Sequence, residues 1–168
     1  WWAFKELYDK GKIYEGEKVL MYDTKFATPV SKNEVTMDND AYQTVTDPSV
    51  FVKFKLRNDK SYLIAWTTTP WTLPGNTALA VNKDFDYVEV ELDGERLIVA
   101  KDLAPKVFVD EKKQPLEYKI LRELKGSELV GLSYEPLFAD AGANAHKVWS
   151  ADYVSAENGT GVVHIAPA

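Results

Sequence analysis

Cysteine is absent from this 168-residue chain, so no disulfide framework, thiolate metal site or cysteine nucleophile is open to it. Histidine is nearly absent: His146 and His164 are the only two, too few for a histidine-rich metal centre. No apolar run approaches the roughly 18 residues of a membrane-spanning helix, and the N-terminus lacks a signal-peptide pattern. HExxH, the P-loop GxxxxGKS/T and GxSxG are all missing, and with them three familiar hydrolytic centres. The GTG at 159–161 has neither the further spacing of a phosphate loop nor a helix after it. Basic excess is lacking too. The net charge of −6 argues against a protein that grips nucleic-acid backbone regardless of sequence.

What is present describes an ordinary globular domain, long enough to bury a core, with 45% hydrophobic and 27% charged residues. A cytosolic location is expected. The chain starts on Trp1 rather than methionine and stops on HIAPA. Both ends read as cuts, which predicts a domain taken from a larger protein. Charge is unevenly spread: Asp84, Asp86, Glu89, Glu91, Asp93 and Glu95 crowd one stretch. Lys101, Lys106, Lys112, Lys113, Lys119, Arg122 and Lys125 crowd the next. Solvated faces are the expectation for both, with a local phosphate contact as the alternative for the basic run.

Hydrophobic spacing predicts a helix over WWAFKELYDKGKIYEG, with Trp1, Phe4, Leu7 and Tyr8 on one side and Gly11 as its stop. KVLMYD reads as a strand, and a long polar, turn-rich stretch follows with room for one short strand. VFVKFKLR alternates strictly, so Phe51, Lys53 and Lys55 face one way while Val52, Phe54 and Leu56 face the core. With SYLIAWTTT it forms a hairpin over 51–69, and PWTLPGN then takes the chain out of the strand. TALAVN resumes extended structure. YVEVEL and ERLIVA flank Asp93-Gly94, the strongest hairpin signal in the chain. KDLAPKVF is a short helix, YKILRELKGSELVGLSYEPLF mixes strand and turn, and AHKVWSADYV and GTGVVHIAPA are the last two strands. Many short strands with two clear helices predict an α+β, mainly β fold: a small, closed or partly closed β-barrel with peripheral helices.

Two groups of residues could carry chemistry. Along a strand, Thr67 and Thr69 share one face and Thr68 takes the other, and Pro70 favours an extended Thr69. Such a row can be a cross-strand ladder and nothing more. Beside Trp71 it can equally wall a small pocket that holds a carboxyl, ester or ribose hydroxyl and orients a water. His164 shares a face with Val162, and reads either as a satisfied core histidine or as a strand-end group opening on a cleft. With no base-activated nucleophile, any hydrolysis here must work by placing water and stabilising an oxyanion.

WTTTPWTLPGNTALAV, followed later by ADYVSAENGTGVVHIAPA, closely resembles the editing domain of the isoleucyl-tRNA synthetase family. WWAFKELYDKGKIYEG and TPVSKNEV are similar to the segments leading into that domain, so the resemblance runs the length of the chain. The valyl and leucyl families carry Thr-Thr-Arg-Pro where this chain has Thr-Thr-Thr-Pro at 67–70. The valyl family also tends to place lysine at the position of His164. The resemblance implies a single editing domain over 1–168, with 1–16 as a linker helix. It implies hydrolysis of mischarged Val-tRNA(Ile), and of valyl-adenylate as a further substrate, by a positioned water.

An apolar pocket discriminates one methylene by only about 1–3 kcal/mol, and isoleucine against valine is the standard instance of that limit. On the resemblance Thr67, Thr68 and Thr69 hold the aminoacyl ester and terminal adenosine, and His164 bars isoleucine. Trp71 shapes the side-chain wall, Asn76 supports the loop, and Thr72 and Gly161 contact substrate. The partners implied are the 3′ end of aminoacylated tRNA(Ile) and the catalytic domain of the same synthetase, with no membrane. No metal or cofactor is implied in this domain; ATP and Mg belong to the parent's activation site, whose HIGH and KMSKS motifs are absent here. The family's amino-group-binding Asp falls past Ala168, which implies weak or no activity for the fragment by itself. The rival expectation is a non-catalytic module that grips the tRNA 3′ end or docks on the parent enzyme, its affinity lying in the basic run.

Overall fold

The computed structural model describes residues 1–36, 42–138, 141, 142 and 144–167, which fall into two compact units, Trp1–Thr46 and Asp47–Ala168.

In the first unit the helical spacing produces α1 (Trp2–Asp9), which ends as expected where Gly11 takes φ 64° and its N–H reaches Tyr8 O at 2.8 Å. The strand expected over KVLMYD is shorter than its composition suggested. Only β1 (Tyr22–Asp23) pairs, with β2 (Thr28–Pro29). The reason is local: the Asp23 carboxylate accepts from the N–H groups of Lys25 and Phe26 at 2.8 and 3.0 Å, turning the chain at once.

In the second unit alternation decides the first hairpin. β3 (Val50–Lys55) pairs antiparallel with β4 (Ser61–Thr67), with Phe54 buried and Phe51, Lys53 and Lys55 exposed. β6 (Asp86–Leu92) and β7 (Glu95–Ala100) form the second hairpin, whose turn has Asp93 at φ 53° and Gly94 at φ 81°. That is the mirror-image turn which matches strand twist. β8 (Lys119–Lys125) pairs antiparallel with β6, and β4 runs parallel to β7, giving the mixed order β3-β4-β7-β6-β8. A second sheet has the order β10-β5-β9, from β5 (Ala78–Val81), β9 (Lys147–Ser150) and β10 (Val162–Ile165). Short helices α2 (Ala104–Val107), within the expected KDLAPKVF, and α3 (Gly126–Leu129) complete it.

Both faces of the larger sheet are covered. Phe54, Leu63, Ala65, Tyr87 and Ile98 join Leu79, Val81 and Val162 of the smaller sheet in one core. Ile64, Val88, Val90, Leu97 and Val99 pack with Ala104 and Phe108 in the other. Burial on two faces accounts for the near-continuous apolar run of β4. The mainly β architecture with few helices agrees with expectation; the mixed sheets, with β4 parallel to β7 and β5 to β9, lie outside that expectation. Among the described residues the ladders do not close into a barrel: β3 and β8 are edges of one sheet, β10 and β9 of the other.

Candidate functional site

Four pieces of chain meet at the C-terminal end of β4: that strand end, the turn after it, the start of β5, and β10. Thr67 is the last residue of β4, paired with Val50 and largely buried. Its Oγ1 accepts from Thr69 N–H at 3.1 Å and lies 3.3 Å from Thr69 Oγ1, so a local turn bond just past the strand end holds the two hydroxyls together. Thr68 and Thr69 are both exposed. Thr69 has φ −123° and ψ 63°, short of the extended range expected before proline. The chain is already turning there: Thr69 O accepts from Thr72 N–H at 3.1 Å and from Thr72 Oγ1 at 2.8 Å.

PWTLPG, expected only to leave the strand, forms a 3-10 helix over Pro70–Gly75. Pro70 sits in its first turn, where the missing N–H is not needed. At its ends Thr72 N–H donates to Thr69 O and Asn76 N–H to Leu73 O. Trp71 projects outward, 74% exposed. Asn76 closes the turn and is buried.

β10 lies antiparallel to β5 with His164 opposite Leu79, which brings His164 to the 3-10 helix. His164 Nε2 is 2.8 Å from Thr72 Oγ1, and Nδ1 is 3.3 Å from Asn76 Nδ2. The neighbours set the directions of these bonds. The Thr72 hydroxyl proton is engaged with Thr69 O, so Thr72 accepts and His164 Nε2 donates. Asn76 Nδ2 donates to Ala78 O at 3.0 Å, and as an NH2 nitrogen that cannot accept it is also the donor to Nδ1, sharing its second proton between Nδ1 and Ile165 O at 3.4 Å. His164 is therefore the neutral Nε2–H tautomer. Partial burial lowers its pKa below the ordinary imidazole value, in the same direction.

Gly161 immediately precedes β10 at φ 74°, and a Cβ there would lie 2.4 Å from Ala100 Cβ. Its carbonyl accepts from the Tyr87 hydroxyl at 2.7 Å, and Thr160 O accepts from Ala100 N–H at 2.8 Å. Burial pushes the Tyr87 phenol up to about 12. GTG is thus a close-packed strand entry. His146, the other histidine, is buried at φ 58°, its N–H on Thr77 O at 2.7 Å and its Nε2 accepting from Ala141 N–H at 3.1 Å.

The structure thus gathers Thr67, Thr69, Thr72, Asn76 and His164 into one hydrogen-bonded group. Thr68 and Trp71 border it from the exposed side, and Gly161 supports it through the backbone. Sequence reasoning missed Tyr134, whose buried hydroxyl donates to Asn76 Oδ1 at 2.7 Å. It sits 58 positions from Asn76 in a stretch with no periodic or motif signal. Among the described residues three cations of the basic run pair with carboxylates, Lys101 with Glu123 at 2.7 Å, Lys125 with Asp86 at 2.6 Å, and Arg122 with Glu89 and with Asp59 at 3.1 Å, and Lys106 donates to Glu157 O at 3.3 Å. Among the described residues no group of three or more His, Cys, Asp or Glu could hold a metal ion, and no helix is long and apolar enough to cross a membrane.

The family model for class I tRNA synthetases (I, L, M and V) matches residues 1–149. An isoleucine–tRNA ligase of Clostridium kluyveri is 45% identical over 170 residues, covering 100% of this chain and 16% of that protein. The cytoplasmic isoleucine–tRNA ligase of Saccharomyces cerevisiae is 44% identical over 175 residues, again with 100% and 16% covered. The chain therefore spans about one sixth of the length of the curated relatives it matches. Among solved structures, GlLeuRS-CP1 aligns with TM-score 0.57 and 20% identity, covering 70% of this chain and 54% of the other. The P. knowlesi cytosolic leucyl-tRNA synthetase editing domain aligns with TM-score 0.52 and 16% identity, covering 69% and 55%. At those identities the likeness is one of fold, that of an editing domain.

Proposed function

Because the chain belongs to the class I tRNA synthetases of the I, L, M and V group, we propose that it is the editing segment of an isoleucine–tRNA ligase. In that role it hydrolyses Val-tRNA(Ile), and valyl-adenylate as a further substrate. The observation that carries this reading is the meeting of the threonine row with His164 through Thr72, at 2.8 Å. It joins the two stretches of sequence whose combination set the isoleucyl family apart.

The chemistry requires no nucleophile from the protein. A water oxygen bonds to the ester carbonyl carbon, the carbonyl oxygen takes the developing negative charge, and the tetrahedral species collapses. The carbon–oxygen bond to the terminal ribose then breaks. The water's proton ends on the ribose oxygen, releasing valine and uncharged tRNA. Thr67, Thr68 and Thr69 supply hydroxyl and backbone donors for the ester and terminal adenosine. His164, held neutral, brings an uncharged ring to the pocket, where its bulk bars the extra methylene of isoleucine. Trp71 and Gly161 complete the pocket on this reading. The reading assigns no cofactor to this segment. Its partners are the 3′ end of aminoacylated tRNA(Ile) and the synthetase's catalytic domain, in the cytoplasm.

The test is release of labelled valine from Val-tRNA(Ile) by the full-length synthetase containing this segment. Wild type should deacylate above background, and Thr69→Ala should slow it by roughly a hundredfold, the scale of one lost oxyanion donor. No deacylation by wild type would sink the reading. The non-catalytic alternative would place affinity in residues 101–125, where Lys101, Arg122 and Lys125 already have carboxylate partners. Charge reversal there should abolish binding on that alternative, and should leave hydrolysis of a small valyl ester intact on ours.

A further inference from the structure

We propose that Tyr134 is a positioning residue of this site: through Asn76 it fixes the orientation and proton placement of His164, and with them the sparing of isoleucine. The inference rests on the editing reading above and extends it to a residue that no substrate reaches.

Tyr134 has no exposed surface, and a buried phenol must find an acceptor. Its acceptor is Asn76 Oδ1, at 2.7 Å. With that oxygen held, Asn76 Nδ2 faces Ala78 O, Ile165 O and His164 Nδ1, at 3.0, 3.4 and 3.3 Å. The reversed amide would set Oδ1 against the carbonyl oxygens of Ala78 and Ile165 and offer the tyrosine donor an NH2 group. One amide orientation is thus selected from both ends. It gives His164 Nδ1 a donor, so the ring proton stays on Nε2 and points at Thr72. Remove the phenolic hydroxyl and only the far side of the amide still selects, so Nδ1–H becomes accessible.

The ring that delivers this hydroxyl is itself held. It meets Phe54 edge-on at 5.3 Å and His146 at 5.5 Å. Its backbone N–H donates to His146 O at 3.0 Å, and its carbonyl accepts from Arg57 Nε at 3.1 Å. Tyr134→Phe keeps both ring contacts and deletes only the hydrogen bond, which makes it a clean probe.

The experiment is histidine-selective 15N NMR on the 168-residue chain, whose two histidines give two ring patterns, alongside deacylation of Ile-tRNA by the full-length synthetase. Wild type should show His164 as a single Nε2–H tautomer. Tyr134→Phe should show a mixture, with Nδ1–H reaching roughly a tenth of the population, and should hydrolyse Ile-tRNA about twofold faster. A pure Nε2–H pattern in Tyr134→Phe overturns the proposal, and so does a tautomer mixture with unchanged sparing of Ile-tRNA. If Tyr134→Phe does not fold, Asn76→Asp decides. That carboxylate still accepts from Tyr134 but cannot donate to His164, so Nδ1 should become protonated; a retained Nε2–H tautomer overturns the relay. Wild type that leaves Val-tRNA(Ile) uncut defeats the editing reading, while the tautomer spectra still judge Tyr134 on their own.

Discussion

His164 Nε2 lies 2.8 Å from Thr72 Oγ1, although 92 positions separate them in the chain. Thr72 passes the contact on to Thr69 O at 2.8 Å, so the histidine on one sheet and the threonine row at the end of the other form one hydrogen-bonded unit.

His164→Ala removes the ring while leaving the threonine row in place. On the editing reading, the full-length variant should hydrolyse correctly charged Ile-tRNA at least tenfold faster than wild type, the order of one methylene's discrimination. Val-tRNA(Ile) should still be cleaved. Deacylation of both charged tRNAs side by side is the check, and unchanged sparing of Ile-tRNA would remove the gate from His164.

The ring should also titrate low. Desolvation lowers its pKa from the ordinary 6.5, and its hydrogen-bond partners Thr72 and Asn76 are neutral. The unfolded chain binds this proton more readily than the folded one, so stability from this group is complete above about pH 6.5. It is lost as pH falls through the lowered folded value. An NMR titration should place the His164 midpoint below 6.5, and a midpoint at or above it would contradict the geometry.

Gly161→Ala tests the entry into β10. The new methyl would lie 2.4 Å from Ala100 Cβ, on a backbone at φ 74°. Overpacking and a left-handed alanine together should destabilise the fold by roughly 2–4 kcal/mol. Urea unfolding measures this, and a loss under about 0.5 kcal/mol would mean that β10 moves freely away from β7.

Arg122→Met probes a buried charge on β6. Glu89 is 2% exposed and hydrogen-bonded to Ser61 and Arg122. Losing the guanidinium leaves a carboxylate in the core with one partner, and should cost about 2–4 kcal/mol. Arg122→Met combined with Glu89→Gln should recover part of it. If the double variant is no more stable than Arg122→Met, the pair is not what the carboxylate depends on.

The sequence by itself determined the elements whose reasons are local. Strict alternation in VFVKFKLR, the Asp93-Gly94 turn and the spacing before Gly11 each appear in the structure where the residues put them. It failed at KVLMYD, where apolar composition predicted a strand that the Asp23 turn cut to two residues. For the site, strand periodicity put Thr67 and Thr69 on one face, whereas the strand ends at Thr67 and a turn bond from Thr69 N–H is what joins the two hydroxyls; the two motifs together pointed to His164 as their partner. No local rule, however, could show that Thr72 is the residue bridging them, or that Tyr134 lies behind Asn76. Those contacts depend on β10 pairing with β5, and on a bridge between Leu56 and Tyr134 that carries the phenol inward. Only long-range pairing brings half-buried His164 and Thr72 against Asn76, so that their donors and acceptors face one another. The proton on His164 is settled there, by tertiary structure alone.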